Sequence, residues 1–420
     1  MPSGILLLRL SRIMSKQTFD VLLFVSLVSL VFVSHQELIM KTNGTRMFGL
    51  LALFLLGVSV GFAQQGLAQE KPVPGSKHYT LPATKETVQW GWLDPNQKPV
   101  LTINSGDRVS VETWYHGLNR LSKPLSTDEI VKLRLDSDGG GWHSVTGPIF
   151  VNGAEPGDTI EIRILKIVMK PWGWNSNLPG KQFPKVGLLG PEFPEGSAHF
   201  FDLNTTNMTT VFKPGIVLQL KPFPGIIGDG PDPNEPAAKA GPPIKNAEGW
   251  TSTVRPWKNG SNMDLNELQV GSTLYLPVFV KGALIWTGDS HCLQGNGEVD
   301  LGALECAYKE IEIQPILRKD LKIEWPEVET KDYWIFTGFD EDLNEAMKIA
   351  TSNTIGWLST QKIVPMDRYE AYALASLVAD CRVTQVVDIR KGVHCMVPKS
   401  IFVQQAKGGA AVIVKPAAGQ

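Results

Sequence analysis

Apolar and polar residues alternate at three places along this chain, each time directly after a tight glycine turn. Ser105-Gly106-Asp107 runs into Val109 and Val111, with Arg108, Ser110 and Glu112 between them. Glu155-Pro156-Gly157-Asp158 runs into Ile160, Ile162 and Ile164, and Val270-Gly271-Ser272 into Leu274, Leu276 and Val278. A period of two puts one face of a strand on a core and the other in water, so each segment reads as a half-buried antiparallel strand. Asp107 and Asp158 follow the turn glycines, where Asx turns account for them. The pattern predicts a mainly β fold, a sandwich of antiparallel strands joined by Gly/Pro turns.

Helical spacing appears only toward the C-terminus, in an insertion over about 338–380 that gives the β body a small α/β portion. Asp340 and Glu341 form an acidic start before Leu343, Met347 and Ala350. Asp367 with Glu370 reads as a capping box opening Tyr369–Asp380, where Tyr369, Tyr372, Ala373 and Ser376 share a face assigned to core packing. The Pro- and Gly-rich stretches Pro171 to Pro194 and Pro222 to Pro256 read as long irregular connections, because proline cannot complete a central ladder. Such loops on a sandwich are where binding sites are built.

Two apolar runs precede the body. Val21 to Ser34 follows Arg9, Arg12 and Lys16, and Met47 to Phe62 follows Lys41 and Arg46. Each is shorter than the about 20 residues that span a bilayer. The second has a secretory layout: Met40 as a start, basic residues, an apolar core, then Gly61-Phe62-Ala63. The expectation is an export region over 1–70, cleaved near Ala63, and a body over 71–420 that is periplasmic or secreted and retains no membrane span. The rival reading keeps the first run as an anchor.

With 40 Lys and Arg against 42 Asp and Glu, the net charge of −2 points to neither nucleic acid nor an anionic membrane surface. The four cysteines, Cys292, Cys306, Cys381 and Cys395, allow three pairings, and the sequence does not choose among them.

The densest chemistry lies in Gly288-Asp289-Ser290-His291-Cys292-Leu293-Gln294-Gly295-Asn296-Gly297-Glu298. Carboxylates, an imidazole and carboxamides between glycines suit a divalent metal or one polarised water, and equally a hairpin of solvated polar side chains.

Other segments narrow that choice. His143-Ser144-Val145-Thr146-Gly147-Pro148 precedes Gly153-Ala154-Glu155-Pro156-Gly157-Asp158. Pro222-Phe223-Pro224-Gly225-Ile226-Ile227-Gly228 follows, then Asn262-x-Asp264, Leu276-Pro277-Val278 and Gly282-Ala283-Leu284 before the Gly288 block. Tyr372-Ala373-Leu374, Asp380, Gln385-Val386-Val387 and Gly392-Val393-His394 close the series. In this order, from about Trp90 to Phe402, the chain resembles the acetamidase/formamidase family of amide hydrolases. It departs from the family where Asn296 replaces an Asp, where Trp114-Tyr115-His116 replaces an acidic residue, and across the poorly fitting stretch Trp114 to Trp142. A His that formamidase-like members carry before the Pro-Gly turn is also absent.

The resemblance implies hydrolysis of a linear, non-peptide amide to carboxylate and ammonia by a metal-activated water, in a homo-oligomer. Asp289, His291 and His143 are the expected ligands of a divalent metal, zinc first and calcium second. Asp289 and His291 thereby join Glu298, the expected general base and acid, as the catalytic set. Gln294, Asn296 and Phe223 are expected at the substrate, and Glu305 competes with Glu298 for its role. His394 reads as structural, His116 and His199 as surface or packing residues. Nucleophilic roles for Cys292 and Ser144 are disfavoured, since neighbours in a strand face opposite ways and no Gly-x-Ser-x-Gly elbow is present. The alternative from another class is a non-enzymatic β-sandwich that binds a small amide and holds calcium through Asp289, Glu298, Asn296 and Asp300.

Overall fold

Ile160, Ile162 and Ile164 are fully buried, as their alternation predicts. They belong to the strand Thr159–Met169 near the centre of a nine-stranded sheet. The computed structural model describes residues 75–136, 142–234, 250–405 and 411–413. The export segment, with Met40 and Ala63, lies outside them. Among the described residues no helix is long and apolar enough to cross a membrane.

The first sheet runs in the order His78–Leu81, Arg108–Val111, Tyr308–Arg318, Thr159–Met169, Thr273–Pro277, Glu327–Glu329, Tyr333–Asp340, Lys391–Pro398 and Asp380–Gln385. All three alternating segments fall in it. The second sheet places Ile285–Leu293 between Phe223–Gly228 and Leu304–Cys306, and also pairs it with Ser144–Val151. One core joins Leu274, Leu276, Ile311 and Ile313 of the first sheet to Ile149, Phe223 and Ile285 of the second. Each such side chain contributes about 1.5–3 kcal/mol on burial. The fold is mainly β, with the strands packed as a sandwich.

Two expected loops contain strands. Trp172–Asn177 lies in the second sheet, and Phe223–Gly228 is buried at every position. Pro224 is tolerated because the neighbour Gly260–Asn262 covers only Ile226–Gly228, leaving one side of Pro224 without a ladder to complete.

Helix α1 (Thr127–Leu135) begins at a Ser126 capping box with Glu129. Helices α2 (Leu343–Thr360) and α3 (Arg368–Val378) fall within 338–380, where helical spacing is expected. Asp342 caps α2, and Asp367 with Glu370 caps α3 as the sequence predicts. The packing faces differ from expectation. Tyr369 and Tyr372 are 88% and 62% exposed, and Met347 is 42% exposed, whereas Ala346, Ala350, Ala371 and Ala375 are buried. On α2 small residues win the interface because the helix approaches the sheet closely: a Cβ on Gly338 would lie 2.3 Å from the Ala346 carbonyl oxygen.

The cysteines pair as Cys292–Cys306 and Cys381–Cys395, each across neighbouring strands. That removes Cys292 as a nucleophile.

Candidate active site

Asp289 and His291 sit two residues apart on Ile285–Leu293, so both side chains leave the strand on one face. Phe223–Gly228 runs alongside, and Gly225 makes room for them. A Cβ there would come within 2.6 Å of His291 Cε1 and 2.8 Å of Asp289 Oδ2. On the other side Glu305 pairs in register with His291, their Nε2 and Oε2 atoms 3.2 Å apart.

His116 completes this group. Its Nε2 lies 2.7 Å from Asp289 Oδ1 and 3.6 Å from Glu305 Oε2, and the residue is 2% exposed. It is therefore a buried member of the site, not a surface residue. A left-handed turn over His116–Asn119 delivers it. The Leu118 N–H donates to Ser144 Oγ, whose hydroxyl donates to the Tyr115 carbonyl, so Ser144 shapes this turn. Trp142 and Trp174 stand edge-on to the His116 ring.

A carboxylate group adjoins: Asp264, Glu298 and Asp388 each offer an oxygen within 4.8 Å of the others. Gln294 donates to the Asp264 carbonyl. Glu298 is held from the C-terminal hairpin, since Gly297 N–H bonds to the Thr384 carbonyl and Val386 N–H to the Gly297 carbonyl. Asp264, Asp289 and Glu298 have φ of 52°, 46° and 47°. Left-handed backbone costs a non-glycine residue about 1–2 kcal/mol, and strain of this kind gathers at functional sites.

Among the other expected residues, His143 lies at the rim, its Nε2 3.9 Å from Asp289 Oδ2 and its Nδ1 3.1 Å from the Thr253 hydroxyl. Phe223 is fully buried with its ring edge-on to His291, so it props the imidazole from behind. Asn296 is exposed. Of the four residues of the calcium alternative, Asp300 accepts from Gly302 N–H and Asn296 is exposed. His394 is fully buried between Thr384 and Glu267, an acidic partner the sequence did not reveal. His199 is exposed. Asp107 and Asp158 accept backbone N–H groups at their turns, as expected.

His116, Asp388 and Asp264 were not singled out as site residues from the sequence. Signals existed for each. His116 ends the Trp114-Tyr115-His116 run, Asp388 directly follows Gln385-Val386-Val387, and Asp264 closes the Asn262-x-Asp264 pair.

The electrostatics separate two groups. Burial alone would raise the Asp289 carboxyl, but His143, His291 and His116 hold it well below the ordinary range. Burial opposes charge on His291, yet Glu305 and Asp289 raise it well above its usual value. His143 is pushed down to about 3 by burial, with His116 and Arg134 adding to the effect against Asp289. Glu298 is raised well above a normal carboxyl by burial and by Asp264 and Asp388, and Asp388 is raised to about 7, chiefly by burial.

These residues fit a divalent metal. His291 Nδ1, His116 Nδ1, Glu298 Oε2 and both Asp264 oxygens are buried without a hydrogen-bond partner, and His291 Nε2 faces carboxylate oxygens of Glu305 at 3.2 Å and Asp289 at 3.4 Å. Such atoms cost about 1–3 kcal/mol each when left unsatisfied. Mixed imidazole and carboxylate donors suit a zinc-type ion better than calcium.

His116, His143, Asp289, Glu298, Glu305 and Asp388 line a cavity of about 30 Å³, with Ile130, Trp142, Trp174, Leu178 and Leu301 as its apolar walls. Fold and site thus define a class: a β-sandwich protein with a buried imidazole–carboxylate centre opening on a small cavity. The chain belongs to the acetamidase/formamidase family, whose sequence model matches residues 81–240 and 236–404. It is 30% identical over 260 residues to an acetamidase of Mycolicibacterium smegmatis, covering 50% of this chain and 61% of that protein. It is 28% identical over 296 residues to a formamidase of Methylophilus methylotrophus, covering 59% of this chain and 71% of that one. The solved structure of an acetamidase from Bacillus halodurans superposes with a TM-score of 0.66 at 26% identity, over 77% of this chain and 98% of that one.

Proposed function

We propose that this protein hydrolyses the carbon–nitrogen bond of a small linear amide, giving a carboxylate and ammonia. The observation that carries the reading is the gathering of His116, His143, Asp289 and Glu305 on one small buried cavity, with His291 directly behind, in a chain of this family. His116, Asp289, His291 and Glu305 would hold a divalent ion, with His143 at the rim. When bound, such an ion supplies positive charge that polarises a carbonyl and makes water more acidic.

Glu298 is the proton carrier. Its raised affinity for a proton suits it to take one from the attacking water and return it to the leaving nitrogen, a role worth about 10²–10⁴ in rate. Asp264 and Asp388, beside it, share that proton load. Trp142 and Trp174 keep bulk water from the cavity, and Ile130, Leu178 and Leu301 receive the acyl group.

Two cystines support an exported setting, where oxidising conditions maintain them. Self-association belongs to the same reading: Val211, Phe212, Ile216 and Val217 stand exposed on one hairpin.

The ligand and proton roles separate by mutation. Asp289→Ala and His291→Ala should lose bound zinc and turnover together, while Glu298→Gln keeps zinc and loses at least about 100-fold in kcat. Full zinc content in the first two variants would sink this site.

A further inference from the structure

One charged residue on the cavity wall has no part in the chemistry above. Arg134 projects from α1 and lines the same cavity as His143, Asp289 and Asp388. It is half-buried, with its guanidinium carbon 5.5 Å from the centre of the Trp142 ring. Burial lowers it to about 10, partly offset by Asp388, so it stays charged at neutral pH. Its charge also reaches His143. Among the described residues no carboxylate stands within ion-pair distance of it, and its only directional contact is with Trp142.

A guanidinium carries five donors in a planar fork that matches a carboxylate in a two-point contact. At 5.5 Å from the centre of the Trp142 ring the guanidinium is within cation–π range, an attraction that uses none of its N–H donors. The deeper wall residues are buried, whereas Arg134, His143, Val254, Leu301 and Gly302 are partly exposed and form the rim. A substrate whose amide reaches Asp289 and Glu298 therefore extends past Arg134 on its way out.

We infer that Arg134 selects amides that carry a second, anionic end: the monoamides of short dicarboxylic acids, bound with the amide at the Asp289–Glu305 centre and the free carboxylate on Arg134. The inference rests on the amide-hydrolase reading. The reaction is unchanged in kind: water adds to the amide carbon, the carbon–nitrogen bond breaks, and ammonia leaves, here with a dicarboxylate as the other product.

The test compares malonamate and succinamate with the neutral amides propionamide and butyramide, in the zinc-loaded full chain and in Arg134→Gln and Arg134→Lys. The expected result is a kcat/KM for the anionic amides at least tenfold above that of the neutral ones. That ratio should fall at least tenfold in Arg134→Gln and less in Arg134→Lys. Calorimetric binding of succinamate, with thermal melts to confirm that both variants fold, supplies a readout independent of turnover. A ratio near or below one in the wild type, or one unmoved by Arg134→Gln, would overturn the inference and leave Arg134 as a counter-charge for Asp388. If no amide is hydrolysed, the amidase reading fails. The inference then stands only if succinamate still binds and Arg134→Gln abolishes that binding, and it falls if succinamate does not bind.

Discussion

His291 and Glu305 face each other across neighbouring antiparallel strands, Nε2 to Oε2 3.2 Å, with the Cys292–Cys306 cystine one residue beyond each. The cystine fixes the strand spacing from the opposite face. Cys292→Ala with Cys306→Ala should cost about 3 kcal/mol in a urea melt, from a loop of 14 residues' separation. It should also weaken zinc about tenfold, as losses of supporting contacts around metal ligands do. Unchanged zinc affinity in a folded variant would show that the pair holds its geometry without the bridge.

Gly225 is the second fixed point. Because its Cβ would meet His291 at 2.6 Å, Gly225→Ala must move the imidazole or the strand. The expected outcome is a folded protein by circular dichroism with zinc content and kcat each down at least about tenfold. Normal zinc binding would mean the strand shifts freely and the site is looser than the geometry indicates.

Strain at Glu298 gives a prediction of opposite sign for stability and activity. With φ of 47° and a buried carboxyl, Glu298→Gly relieves backbone strain and removes a desolvated group. The metal-free variant should be more stable by about 1–2 kcal/mol while turnover disappears. A variant that melts lower would show that Glu298 holds its loop in place.

Glu327, far from these residues in sequence, sets a pH signature. Burial raises it to about 7. Its folded pKa lies above the unfolded one, so its contribution is full below about 4.5 and is lost as pH rises toward 7. Glu327→Gln should therefore gain stability over wild type across that window, reaching about 1–3 kcal/mol at pH 8 and staying constant above. Equal stabilities at pH 5 and 8 would place Glu327 in water.

The strands built on Val109, Ile160 and Leu274 were legible because alternation marks the apolar face, although the polar face is not open to water as expected: Ser110 and Glu161 are buried too. The capping box at Asp367 was legible because both partners lie within one turn. The inward face of α3 was not: Tyr369 and Ala371 differ by two positions, and only the packing of α3 beside Ile355 and Leu358 of α2 puts Ala371 and Ala375 inside. Within the site, Asp289, His291 and Glu298 were singled out because they cluster within one short stretch of sequence. His116, Asp264 and Asp388 are spread over more than 270 residues and meet only through strand pairing and the Gly297–Gln385 bridge. Cystine pairing was open for the same reason, since it depends on register.

The central claim is a metal-dependent amide hydrolase, and ammonia release from formamide and acetamide tests it most directly. The protein is assayed as prepared, after exhaustive chelation, and after zinc is restored. Turnover that vanishes on chelation and returns with stoichiometric zinc is the predicted result. Turnover indifferent to the chelator, or absent with zinc bound at His116, Asp289, His291 and Glu305, would contradict the account.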